Sequence, residues 1–119
     1  MAGVPGLSMV AICESGALLD GADGVRFTVQ RGEEEVPAFV IRHDGAVSAY
    51  LNRCGHIPVE LDWMPGQFFD SEGVYLMCAT HGALYEPASG NCAGGPCNGK
   101  GLEPVAVEER DGHIYLKAD

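Results

Sequence analysis

The sequence predicts an all-β fold: antiparallel sheet at both ends of the chain and a long, loop-rich insert between them. Short runs rich in Val, Phe, Ile and Tyr alternate with charged or glycine turns. An Asp-Gly pair separates two alternating runs near the C-terminus. Finally, 17 glycines and 7 prolines among 119 residues leave little room for long helices.

Taken in order, residues 1–20 contain no Lys or Arg, and their longest apolar run is 9–13. That is neither the charged start nor the apolar stretch of a signal peptide. Residues 25–30, 36–42 and 46–51 read as three strands of a meander, separated by the charged turn 31–35 and by His43-Asp44-Gly45. Residues 105–109 and 113–117 flank Asp111-Gly112, the strongest short hairpin signal, and Ile114 and Leu116 alternate with Tyr115 and Lys117. Between these parts, about residues 52–104, Gly and Pro punctuate a stretch with one expected strand at 74–77 and a one-turn helix near 59–63. So long an irregular insert is uncommon in a compact domain unless something organises it. No repeat, low-complexity tract or linker divides the chain, so residues 1–119 are expected to form a single domain.

Acidic residues outnumber basic ones 17 to 7, for a formal charge of −10. Such a surface repels nucleic-acid phosphates and anionic lipid, and it steers toward a protein partner with a basic docking face. No segment approaches the roughly 18 apolar residues of a membrane span. A cytoplasmic location is therefore expected, and there five cysteines, an odd number, read as ligands or thiols rather than a disulfide framework.

Chemistry concentrates in the insert. Cys54-Gly55-His56 and Cys78-Ala79-Thr80-His81 supply two thiols and two imidazoles in matched pairs, with 21 residues between His56 and Cys78. Pro58 follows the first pair and Gly82 the second, so both pairs belong on tight loops. A Cys2His2 set also suits structural zinc, and a zinc-stabilised binding module is the alternative it raises. Zinc fingers, however, pair Cys with Cys and His with His, whereas each loop here mixes one of each.

The mixed pattern resembles the Rieske 2Fe-2S proteins, whose motif is Cys-x-His, a spacer, then Cys-x-x-His followed by Gly. Tyr85, the Ser89-Gly90 turn and Gly94-Gly95-Pro96 extend the match across about 52–104. The resemblance implies a Rieske-like antiparallel β sandwich with a small loop-rich cluster-binding subdomain. It also implies one 2Fe-2S cluster, with Cys54 and Cys78 on the inner iron as thiolates and His56 and His81 on the outer iron. With a core charge of +2, two thiolates make the oxidised centre neutral and the reduced one −1, so the surroundings set the potential. The implied function is that of a ferredoxin, a single-electron carrier between a reductase and a terminal oxygenase or similar acceptor, and not an enzyme. His43 and His113 are isolated in the sequence and leave no set for a second, mononuclear iron.

The sequence departs from the cytochrome-bc branch of the family. Val59 and Thr80 stand where that branch has bridging cysteines, and Ala83 stands where it has a serine whose hydroxyl donates to sulfur. Fewer donors imply a lower potential within the class range of roughly −150 to +300 mV. The spacer is longer than is usual in small Rieske ferredoxins, and residues 63–70 are expected to form an enlarged loop whose aromatic residues pack rather than recognise. Cys92 and Cys97 are close enough in sequence for a small disulfide, and an accessory redox sensor is the function that bond would suggest, although a reducing compartment favours thiols. Cys13 reads as a core residue.

Overall fold

The computed structural model describes residues 9–117 apart from 32, 54–59, 63, 65, 71, 81 and 96–99. Among the described residues ten strands follow one another: β1 (Met9–Glu14), β2 (Val25–Arg31), β3 (Glu34–His43), β4 (Ala46–Leu51), β5 (Leu76–Met77), β6 (Leu84–Tyr85), β7 (Cys92–Gly94), β8 (Pro104–Val105), β9 (Val107–Arg110) and β10 (His113–Lys117). A single 3-10 turn, Ser15–Ala17, is the only helical element among the described residues. No helix there is long and apolar enough to cross a membrane.

Every strand pairing within the three sheets is antiparallel. β2-β3-β4-β8 form a four-stranded sheet, β1-β10-β9 a second, and β5-β6-β7 a small third sheet. The two tightest hairpins are set by residues that accept positive φ. Asp44 and Gly45 (54° and 80°) join β3 to β4, and Asp111 and Gly112 (52° and 80°) join β9 to β10. Positive φ at both central residues is the requirement of the type I′ turn, whose twist matches that of the strands it connects.

Period two sorts β3 into two faces. Val36, Ala38 and Val40 face one core with Ala49, Leu51, Val105 and Ile114, whereas Phe39 and Ile41 face another with Tyr50, Leu61, Phe68, Leu76 and Tyr85. The four-stranded sheet is therefore the middle layer of the molecule. The β1-β10-β9 sheet covers one face, and the insert, with its small sheet, covers the other. Phe68 stacks on Phe39 with ring centroids 3.9 Å apart and planes 11° from parallel, which anchors the insert to the middle sheet.

The meander and the terminal hairpin lie where the sequence places them. Elsewhere the elements differ. The expected strand 105–109 is interrupted at Ala106 into β8, which pairs with β4, and β9, which pairs with β10. Residues 9–14, read only as an apolar run, form β1 and pair with β10, with a register shift between Ala11 and Cys13. Val74 and Tyr75 lie outside β5 and are exposed. Residues 60–62, the described part of the expected one-turn helix, are not helical, because their polar groups bond away from their own turn.

Candidate metal centre

Cys78 is fully buried and directly follows β5. Its loop is closed by two backbone hydrogen bonds: the Gly82 amide donates to the Cys78 carbonyl, and the Cys78 amide to the Ala83 carbonyl, each at 2.9 Å. Gly82 takes a φ of +77°, which a side chain would disfavour. Chain from the β7 end packs straight onto this turn. A Cβ on Gly95 would come within 2.9 Å of the Gly82 carbonyl oxygen and 3.0 Å of the Ala83 Cα, and Gly95 itself has a φ of +81°. Only glycine fits such a backbone approach.

Cys54, His56 and His81 lie outside the described residues, but the two ends of the first ligand loop are described. Asn52 directly follows β4 and is 1% exposed. Its Oδ1 accepts the Leu61 amide at 2.8 Å, and its Nδ2 donates to Asp62 Oδ1 at 3.0 Å. These bonds bring Asn52 together with Leu61 and Asp62, from either side of residues 53–60. Leu61 then reaches the second loop, its carbonyl accepting the amide of Ala79 at 2.9 Å, one residue beyond Cys78. The segments that carry the two half-motifs are thus joined through Leu61. Among the described residues alone no three His, Cys, Asp or Glu side chains gather as a metal site.

Asn52 and Asp62 were not singled out in the sequence. A lone Asn after an apolar strand and a lone Asp in a loop read as solvated surface, and only the fold shows both buried. The Asp62 carboxylate, fully buried as a side chain, also accepts the Gly66 amide at 3.0 Å and pairs with Arg26 Nε at 3.3 Å. Arg26 reaches Glu60 as well.

Beside the first loop lies a cleft of about 390 Å³ lined by Glu34, Glu35, Val36, Pro37, Arg53 and Glu60. Arg53 and Glu60 immediately flank residues 54–59, so the cleft lies at the base of the segment that carries the first half-motif. Its lining carries three carboxylates and one guanidinium, of which Glu34 and Arg53 pair at 3.8 Å.

The remaining cysteines and histidines divide clearly. Cys92 is disulfide-bonded, which corrects the expectation of a thiol at this position. That expectation rested on compartment, whereas bond formation depends on local geometry. Cys92 is half-buried on β7, in register with Tyr85, and packs against the core that includes Cys78; Cys97 lies outside the described residues. Cys13 packs against the other core, where burial pushes its thiol pKa up while Arg42 pulls it down. His43 stacks on Phe69 at 6.0 Å, and His113 Nδ1 lies 3.2 Å from the Asp111 carbonyl oxygen. In the enlarged loop Phe68 is fully buried and Phe69 half-buried, so both pack as expected, and Met64 is exposed; Trp63 lies outside the described residues.

A model of the Rieske [2Fe-2S] domain matches residues 8–110. Among solved structures, the chain is similar to a ferredoxin of Sphingomonas yanoikuyae B1, at 20% identity and a TM-score of 0.71, covering 94% of this chain and 100% of that one. It is similar to a chain in the complex of reduced oxygenase and oxidized ferredoxin in carbazole 1,9a-dioxygenase, at 23% identity and 0.70, covering 92% of each. It also resembles dicamba monooxygenase bound to dicamba, at 23% identity and 0.71, covering 99% of this chain but 36% of the larger protein. At these identities the likeness establishes the fold. A search of curated proteins finds no match.

Proposed function

The chain belongs to the Rieske [2Fe-2S] domain family, and from that premise we propose that it is a single-electron carrier between a reductase and a terminal oxygenase or similar acceptor. In this reading it is not an enzyme, since bond chemistry belongs to the acceptor. Family membership gives the chain one 2Fe-2S cluster, which displaces the zinc module as an explanation of the ligand set.

The residues present fit that group. Two thiols and two imidazoles form the Rieske donor set, and Cys78 offers a sulfur shielded from water on a turn held by backbone hydrogen bonds. Cys54 and Cys78 would hold the inner iron, His56 and His81 the outer one. When bound, the cluster supplies one-electron redox chemistry with a charge change of one. The chain's own residues do the rest: Leu61 ties the two ligand-bearing segments, Gly82 and Gly95 allow close backbone cover, and the acidic cleft presents Glu34, Glu35 and Glu60 to a basic partner. The chain is proposed to work as one domain, 1–119, with the cluster-binding insert at about 52–104.

The observation that carries this proposal is the joining of the segments around both half-motifs through Asn52, Leu61 and Ala79. It supports the placement of four ligands from distant sequence on one centre. Iron and acid-labile sulfide analysis of anaerobically purified protein, with electron paramagnetic resonance before and after dithionite, tests it. Two irons, two sulfides and a Rieske-type signal only on reduction are expected; one zinc without sulfide would overturn it.

A second reading, an accessory redox sensor, is favoured by the disulfide at Cys92. It requires partner binding to differ between oxidised and reduced protein, and Cys92→Ser to abolish that difference.

A further inference from the structure

We propose that Arg26, Asn52 and Asp62 form a charged clip that fixes the first ligand loop against the second and tunes the reduction potential of the centre. The proposal rests on the electron-carrier reading above and adds positioning residues to it.

The physical starting point is a buried charge. An ionised carboxylate removed from water costs several kcal/mol unless it is both paired and hydrogen-bonded. Asp62 meets both conditions. Oδ1 accepts from Asn52 Nδ2, and Oδ2 accepts from the Gly66 amide and faces Arg26 Nε. A buried carboxylate with three polar partners is an expensive way to close a loop that a hydrophobic residue could close more cheaply. Its position suggests what it contributes. Asp62 follows Leu61, whose amide is held by Asn52 and whose carbonyl is held by Ala79, next to Cys78. The carboxylate is therefore fixed one residue from the only described bond joining the base of the first loop to the second loop. Asn52 stands two residues before Cys54, so movement at the clip moves both ends of the first ligand loop.

The charges follow the same geometry. Arg26 projects from β2, outside the insert, and its guanidinium serves two carboxylates, buried Asp62 and half-exposed Glu60. The other charged groups lining the adjoining cleft are Glu34, Glu35 and Arg53, with Arg53 3.8 Å from Glu34. Reduction of the centre adds one negative charge, and the Asp62 side chain, wholly buried and one residue from the Leu61–Ala79 bond beside Cys78, is little screened by solvent. The balance between Arg26 and Asp62 then enters the potential directly. Loss of the guanidinium leaves two carboxylates uncompensated and disfavours the reduced form. Loss of the Asp62 charge leaves Arg26 paired with Glu60 alone, removes one negative charge and favours the reduced form.

Opposite signs distinguish this clip from mere scaffolding. Protein-film voltammetry on the cluster-loaded full chain should give a lower potential for Arg26→Gln and a higher one for Asp62→Asn, with the double variant returning toward wild type. Arg26→Lys, which keeps the charge, should stay near wild type. Equal shifts for Arg26→Gln and Arg26→Lys, or no shift in either, would overturn the proposal, and this pair remains readable if Asp62→Asn fails to load its cluster. Hydrogen exchange supplies a readout independent of the electron. Asn52→Ala should accelerate exchange at the Leu61 and Ala79 amides, and unchanged protection there would overturn the positioning role. Wild-type protein lacking two irons and two sulfides would defeat the carrier reading instead. Full occupancy with no Arg26 effect would defeat the clip alone.

Discussion

At the scale of single residues, position 83 is the sharpest probe of the centre. Ala83 is fully buried and its carbonyl accepts the Cys78 amide, so anything added to its side chain lies in the core beside the second ligand turn. A buried hydroxyl that finds no acceptor costs about 1–3 kcal/mol, so a serine here either donates to a nearby sulfur or destabilises the fold. Ala83→Ser is predicted to raise the midpoint potential, because a donor to sulfur stabilises the more negative, reduced state. Voltammetry showing no rise, with stability lowered, would mean that the hydroxyl has no sulfur within reach. The candidate ligands were legible in the sequence because metal chemistry demands particular atoms at short spacings, and Cys78-x-x-His81 keeps them visible without the fold. Asn52 and Asp62 were not. Their importance comes from burial, and burial is a property of the assembled layers rather than of any local pattern.

At the scale of elements, the β1-β10-β9 sheet is held to the middle sheet by one polar clamp as well as by packing. Arg42 on β3 donates from both terminal nitrogens to Glu109 on β9, at 2.6 and 3.1 Å, and from Nε to the Leu18 carbonyl at 2.9 Å. The hydrogen bond from Arg42 is the main reason that the Glu109 carboxyl is held below its ordinary pKa. A carboxyl whose folded pKa is depressed contributes stability above its unfolded pKa, and that contribution is lost as pH falls through the folded value. Glu109→Gln should therefore be less stable than wild type at neutral pH, by about 0.5–1 kcal/mol for a partly exposed pair. The gap should close as pH drops through and below the normal glutamate range. Urea denaturation of both proteins at several pH values checks this, since acid effects on the ligand histidines are common to both. A gap independent of pH would show that Glu109 acts through packing. Elements with local signals were the legible ones: β2, β3 and β4 carry β-branched runs, and the two I′ turns carry Asp-Gly. β6 and β7 were missed because two or three residues are too few to show alternation. β1 was missed because its partner, β10, is supplied by the far end of the chain.

At the scale of the whole molecule, the charge of −10 acts over the distance at which a redox partner is first felt. Electron transfer between proteins requires an encounter that places the two centres close together, and a uniform negative field would favour a basic partner without orienting it. Local charge supplies the orientation. Glu34 and Glu35 are exposed at the start of β3 and line the cleft at the base of the first ligand segment, so they mark one side of the molecule, the side proposed to meet the partner. The Debye length shrinks from about 30 Å at 0.01 M salt to about 10 Å at 0.1 M, so the long-range part of this attraction is removed well before short contacts are. The second-order rate of electron transfer to a basic acceptor, such as a cationic c-type cytochrome followed by stopped-flow absorbance, is predicted to fall at least about tenfold across that range and beyond. Glu34→Gln combined with Glu35→Gln removes two of the molecule's 17 acidic groups but should remove much more than that share of the salt dependence if the cleft is the docking side proposed above. A slope reduced only in proportion to net charge would mean that steering is global and that the cleft is not the docking side. A rate indifferent to salt would mean that contact is governed by shape and apolar surface, and the acidic composition would then serve solubility alone.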